Sequence, residues 1–318
     1  MKQALMSSLC FTMFCSNPEG ESDWDDVLKY HHYCNHAEML LLEHDFTKAS
    51  QYFDSAFILF KNPFPSHLLN SAYSYYNNGD IKKAKANLKS LIERGFEINN
   101  LRLFKWVENL LDPSLLSLAE SVAIEPDNYF NSELRERIIF LDVEDQRVRH
   151  LPNAYIHYKD SVDRVDNQNI QELIKIFEEY GYLSSREIGV KALGSFVPGE
   201  IIIHHALQNK SQVFLDYLKK GLRTGKLHPF QYARLIDTYE NPFTGPCRTM
   251  IFKYGDSLVN PFIESDVLRV NGRRKAIGLD ELEVYHKKVD HMLKADSPNY
   301  FFHYVITEQP EVLETYIR

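Results

Sequence analysis

The chain is poor in cysteine, in tryptophan and in net positive charge, and it has no long apolar run. Of its 4 cysteines, Cys10 and Cys15 stand near the start, and Cys34 and Cys247 lie far apart without CxxC spacing. That leaves no disulfide framework and no zinc ribbon. With 36 Lys and Arg against 44 Asp and Glu, the formal net charge is -8. A polyanion needs a clustered basic surface that releases counterions, so nucleic acid is not expected as a partner. No apolar run reaches the roughly 18 to 20 residues that cross a bilayer as a helix, so no transmembrane segment is expected. P-loop, GxGxxG, HExxH and GxSxG signatures are also missing, which removes phosphate cradling and the common hydrolase motifs.

What is present is ordinary globular material, 44% hydrophobic and 25% charged over 318 residues. That length suits two domains. The first residues form an export outline: Lys2 supplies a positive charge, Ala4 to Cys15 is apolar or small, and the chain turns polar from Ser16. Residues 1-22 therefore read as a signal or lipoprotein leader with Cys15 as a lipidation candidate, although bulky Phe11, Met13 and Phe14 precede it. This predicts a cell-envelope or secreted protein, with a cytoplasmic address as the alternative.

A repeat follows, at an offset of about 35 residues. Ala49, Ala84 and Ala119 mark it; so do Tyr33, Leu68 and Leu103, then Leu40, Tyr75 and Leu110, then Phe53, Leu88 and Ala123. Small residues Ala37 and Ala72 let paired helices approach, whereas the third unit has Val107 there, beside Trp106. Gly79 supplies a turn and Asp80 a cap. Over about residues 30 to 127 the pattern resembles the tetratricopeptide repeat, which implies stacked antiparallel helical hairpins with a concave face. Its rows would be Cys34, Leu69 and Phe104; Glu38, Tyr73 and Glu108; and Leu41, Tyr76 and Leu111. Lacking Lys and Arg, such a face does not clamp a C-terminal carboxylate. It is a groove for a protein or peptide or, the preferred reading for three units, the surface on which the chain's own C-terminal domain packs.

His31, His32, Cys34 and His36 crowd the first helix. His32 and His36 share a helix face at a ligand spacing, but two ligands make no site. No metal and no cofactor are implied.

Beyond Asn131 the repeat is lost. An amphipathic helix runs through Leu134, Ile138, Ile139, Leu141 and Val143 and ends in Asp145, Gln146, Arg147, Val148 and Arg149. A polar loop with Pro152 comes next. Further helices are expected after Asp166 up to Gly181, after Pro198, from a Ser211 cap to Gly221 or Gly225, and from Pro229 to about Asp237. Residues 240 to 275 are ambiguous, with Thr249 to Tyr254 as a short strand that would make a small β-hairpin. The expected fold class is mostly α. Its domains would be a leader at 1-22, the array at 23-127 and a second helical domain at 128-318.

Over about residues 134 to 290 the landmarks resemble an uncharacterised bacterial family, a domain of unknown function. They are Asp145, Gln146 and Arg149 at a helix end; His204, His205 and Ala206; Asp237 after Ala233 and Leu235; and Arg273, Arg274, Gly278, Leu279, Leu282 and Tyr285. The chain departs from the family at Lys253, Tyr254, Gly255 and Asp256, keeping only Tyr-Gly of Tyr-Gly-Thr-Gln. Asp145, His205 and Asp237 are the right types for acid and base catalysis, and Gln146, Arg149, Arg273 and Arg274 for holding a ligand. Each also has a plain reading: Asp145 with Arg149 as a helical ion pair, His205 as a buried hydrogen-bonded histidine. Two functions stay open, a protein-interaction scaffold and an enzyme whose pocket gathers these residues.

Overall fold

Aspartates start four of the helices in the first half. Asp23 opens α1 (Trp24–Leu42), and the Asp45 carboxylate accepts the Lys48 N–H at the start of α2 (Phe46–Leu59). One repeat later, Asp80 does the same for Lys83 at the start of α4 (Ile81–Glu93), which follows α3 (Pro65–Asn77). Each cap satisfies backbone donors that the helix itself leaves open. The turns before these caps match too, with His44 at φ 59° and Gly79 at φ 82° in the left-handed region. Ala37, Ala49, Ala72 and Ala84 are fully buried where the helices meet.

The computed structural model describes residues 23–190, 193, 199–241, 245–254, 257–259, 264–294, 299–303 and 305–307. The expected leader, with Cys10 and Cys15, lies outside them, as do Pro198, Gly255 and Asp256.

A third complete hairpin is not formed. Its first helix is broken into α5 (Ile98–Leu101) and a 3-10 turn at Lys105–Asn109, before α6 (Pro113–Ile124) begins on an Asp112 cap. Val107 takes the place of Ala37 and Ala72, and Leu103 points to solvent at 64% exposure instead of matching buried Leu68. Trp106 is turned toward the C-terminal segment, its indole N–H donating to the Asn299 carbonyl at 2.8 Å. The two complete hairpins give a direct test. Ala84→Leu is expected to overpack the contact and cost about 1–3 kcal/mol, read as a lower urea midpoint.

The second half holds α7 (Ser132–Arg149), α8 (Ala154–His157), α9 (Lys159–Tyr180), α10 (Ser185–Ile188), α11 (Glu200–Gln208), α12 (Leu215–Arg223) and α13 (Pro229–Glu240). Then come β1 (Met250–Tyr254), β2 (Ser257–Val259), α14 (Glu264–Ala276), α15 (Leu282–Lys294) and β3 (Val305–Thr307). The small hairpin exists, β1 and β2 being antiparallel with Phe252 opposite Val259, and β3 adds to the other edge of β1 in parallel. The fold is mostly α-helical. None of the described helices is long and apolar enough to cross a membrane.

Two helix starts differ from the sequence reading. α9 begins at Lys159 rather than after Asp166, because Asp160, Asp163 and Asp166 tolerate a solvated or ion-paired helix face and Lys159 pairs with Asp163 one turn on. Ser211 does not cap α12, whose N-cap residue is Phe214. Gly181 does end α9, at φ 72°.

The apolar core divides at about residue 131. The largest cluster runs from Val27 to Phe130 and takes in Tyr300 and Phe302; a second runs from Leu134 to Leu235, and two small ones gather Phe230, Tyr285 and Val289, and Val148, Ala154 and Val162. The rows of side chains along the first helices of the array are partly covered by the chain itself. Asn70, beside Leu69, clamps the Phe301 backbone by donating to its carbonyl and accepting from its N–H, both at 2.8 Å. Lys288 on α15 reaches Glu38 at 2.6 Å, and Asn35 donates to the Gly278 carbonyl. Cys34, Leu69, Tyr73 and Phe104 are buried there, while Glu108 stays half exposed and pairs with Arg102.

Candidate functional site

The inward stripe of α7 reads Leu134, Ile138, Leu141, Asp145 and Val148, all buried. Spacings of four and three keep these positions on one face, so Asp145 stands where a core residue belongs. A buried carboxylate persists only if it is paired and hydrogen-bonded. Arg149, one turn on, donates to Asp145 Oδ1 at 2.7 Å, and Gln146 donates to Oδ2 at 2.7 Å. The same guanidinium binds both oxygens of Asp166 on α9, at 2.7 and 2.8 Å. From α11, His205 Nδ1 comes within 3.2 Å of Asp145. Asp145, Gln146, Arg149 and His205 thus form one network.

Asp142, one turn earlier, completes the cluster. Its Oδ2 accepts the Gly199 N–H at 3.1 Å, whereas Oδ1 is buried and has no hydrogen-bond partner. Burial pushes its pKa up to about 6, aided by the charges of Asp145 and Glu200, while the Gly199 bond and His205 pull the other way. Glu200 begins α11 deeply buried and pairs with Arg234 of α13. Next to His205, His204 is lowered to about 4, by burial first and then by His205 and Arg234. Its Nδ1 lies 3.4 Å from Thr238 Oγ1, which ties the helix carrying His205 to the one carrying Asp237.

Asp237 belongs to a second network. Its oxygens accept from Cys247 N, Thr249 N and Thr249 Oγ1 at 2.8 to 2.9 Å, anchoring the segment that leads into β1. Burial raises its pKa, against those three bonds. Gly245 must be glycine, because a Cβ there would stand 2.5 Å from Asp237 Oδ1. Arg274 is buried and donates to the carbonyls of Cys247 and Asp280, with its guanidinium over the Tyr285 ring. Tyr285 in turn donates to the Thr249 carbonyl at 2.7 Å. Arg273 is exposed in the last turn of α14.

Of the residues singled out from the sequence, four meet around Asp145, and Asp237 and Arg274 meet around residues 247 to 249. Arg273 stands outside both groups at the surface. Asp142, Glu200 and Arg234 escape a reading of the sequence. One signal points toward them, a carboxylate on the apolar stripe of α7, since solvent cannot neutralise it and the fold must bring partners.

No protein family, curated protein or solved structure matches the chain significantly. The class is therefore set by the fold and the site alone: a mostly α-helical protein, helical-repeat-like in its first half, with buried carboxylates beside half-buried histidines in its second.

Proposed function

We propose that this protein is an enzyme of acid–base chemistry, acting through Asp142 and the Asp145–His205 pair, with the helical array serving as its internal scaffold. The observation that carries this is the His205–Asp145 hydrogen bond, set beside a carboxyl group with one unpaired oxygen. Asp145 orients the ring through Nδ1, which leaves Nε2 as the basic nitrogen of a side chain still 19% exposed. Asp142 is the complementary acid. A carboxyl that is part protonated near neutrality donates effectively, and groups whose environments push their proton affinities apart are how one site supplies both roles. Arg149 and Arg234 are already paired with carboxylates, which favours a neutral polar substrate over an anionic one.

The test joins titration to turnover. Carbon NMR of Asp142 is expected to report protonation near pH 6. Its folded value lies above the ordinary 3.8, so its contribution to stability is complete below about pH 3.8 and is lost as pH rises through 6, amounting to about 3 kcal/mol. Asp142→Asn should remove that pH dependence. Against panels of neutral esters, amides and glycosides, His205→Gln should lower turnover by about 10²–10⁴-fold. Normal Asp142 titration, or equal rates in folded wild type and variants on every substrate, would sink the reading.

A scaffold role is the second reading. It is favoured by the Asn70 clamp, which holds Phe301 by its backbone alone and would accept any extended peptide that displaced residues 299–303.

A further inference from the structure

A second cluster of titratable side chains lies away from Asp145, where the array meets the second half of the chain. His31 comes from the middle of α1, His67 from the first turn of α3, and His228 is the N-cap residue of α13. Each offers a ring nitrogen, and these three atoms lie within 4.8 Å of one another. The residues are 1%, 2% and 8% exposed. His31 Nε2 is buried without any hydrogen-bond partner. An unpaired buried imidazole nitrogen is costly, and it calls for a group that would satisfy it.

We propose that His31, His67 and His228 form a binding site for a transition-metal dication, Zn²⁺ foremost, that clips the helical array to the second half of the chain. Three imidazoles suit zinc and its neighbours and are wrong for Mg²⁺ or Ca²⁺, which take oxygen ligands. Outer contacts place the rings. Tyr30 Oη accepts the Phe64 N–H at 3.0 Å and lies 2.6 Å from His67 Nδ1, which leaves His67 Nε2 as the nitrogen free for the cluster. Zinc–nitrogen bonds of about 2.0 Å put tetrahedral ligands roughly 3.3 Å apart, so an ion draws the three rings inward. Binding through His228 Nε2 leaves the Phe230 N–H its 3.2 Å acceptor at Nδ1, whereas binding through Nδ1 would exchange that one long hydrogen bond for a coordinate bond.

Glu38 Oε1 stands 3.7 Å from His67 Nε2, and Glu38 and Asp280 hold the Lys288 ammonium between them, so that carboxylate pair offsets the fixed positive charge that acts on His67 and His228. Burial keeps all three histidines neutral, His31 down to about 3, which is the ligating form. His303 is a further donor close by, its ring centroid 4.4 Å from that of His228.

The experiment uses the full chain, stripped with a chelator. Calorimetric titration with Zn²⁺ is expected to give one ion per chain, and Co²⁺ the visible bands of a tetrahedral nitrogen site. His31→Gln and His228→Gln should each weaken binding by about 100-fold or more, while His32→Gln with His36→Gln, both exposed on α1, should leave it unchanged. X-ray absorption of the zinc-loaded wild type should show three imidazole ligands, and it decides the matter should a variant fail to fold. Absent stoichiometric binding, affinity unchanged in the buried variants, or zinc without imidazole scattering would each overturn the proposal.

Discussion

Lys288→Met is expected to lower the unfolding free energy by about 3–5 kcal/mol. The side chain is 3% exposed and its ammonium serves two carboxylates, buried Glu38 on α1 at 2.6 Å and half-buried Asp280 before α15. It also faces the Phe302 ring at 5.3 Å. Methionine keeps most of the volume and removes the charge, so two carboxylates remain in a poorly solvated place with nothing to balance them. The loss comes from stranding those partners, not from any large net gain of the original pairs. Glu38→Gln added to Lys288→Met should therefore recover part of the stability. Burial alone would lower the ammonium pKa, but Asp280 and Glu38 outweigh it and hold it above the usual 10.5. The contribution is thus complete below about pH 10.5, declines above it and is gone once the pH has passed the folded value. A urea midpoint within experimental error of wild type would show that solvent reaches this cluster.

Tyr300→Ala is expected to cost a similar amount, about 3–5 kcal/mol, by opening a cavity under the strap of residues 299–303. The ring is 2% exposed. It lies 5.6 Å from the Tyr73 ring, 5.1 Å from Phe302, and stacks on His291, whose Nε2 is 2.6 Å from the hydroxyl. Tyr300→Phe separates ring from hydroxyl and should cost only about 1 kcal/mol. Limited proteolysis gives a second readout. In the alanine variant the strap should be cut much faster than in wild type, since it keeps its Asn70 and Trp106 bonds and the Phe302 packing but loses its largest buried ring. Equal cleavage rates would mean that those backbone bonds suffice.

Features that depend on neighbours along the chain are legible in the residues themselves. The Asp45 and Asp80 caps, the buried alanines and the end of α9 at Gly181 act within a turn or two. So does the Asp145–Arg149 pair, four residues apart on one helix. The third repeat unit is different, because a constant offset records residue types and not whether a helix survives between them. Val107, Leu103 and the Asn299 carbonyl decide that. The start of α9 is hidden for a related reason: a run of aspartates suits a loop, and an ion-paired helix face tolerates it equally well.

Local propensity and periodicity are enough for the mostly α-helical class, the two complete hairpins with their caps, and an apolar helix face, since a chain carries those wherever it goes. What covers that face is settled only by folding, because the Lys288–Glu38 pair and the Asn70–Phe301 clamp join residues more than two hundred positions apart. Folding also selects among the histidines. His32 and His36 have a ligand spacing because they share a helix face, but that face is exposed. His31, on the buried face of the same helix, meets His67 and His228 from two other helices. Burial chooses the face, and only the packing of distant helices brings the partners.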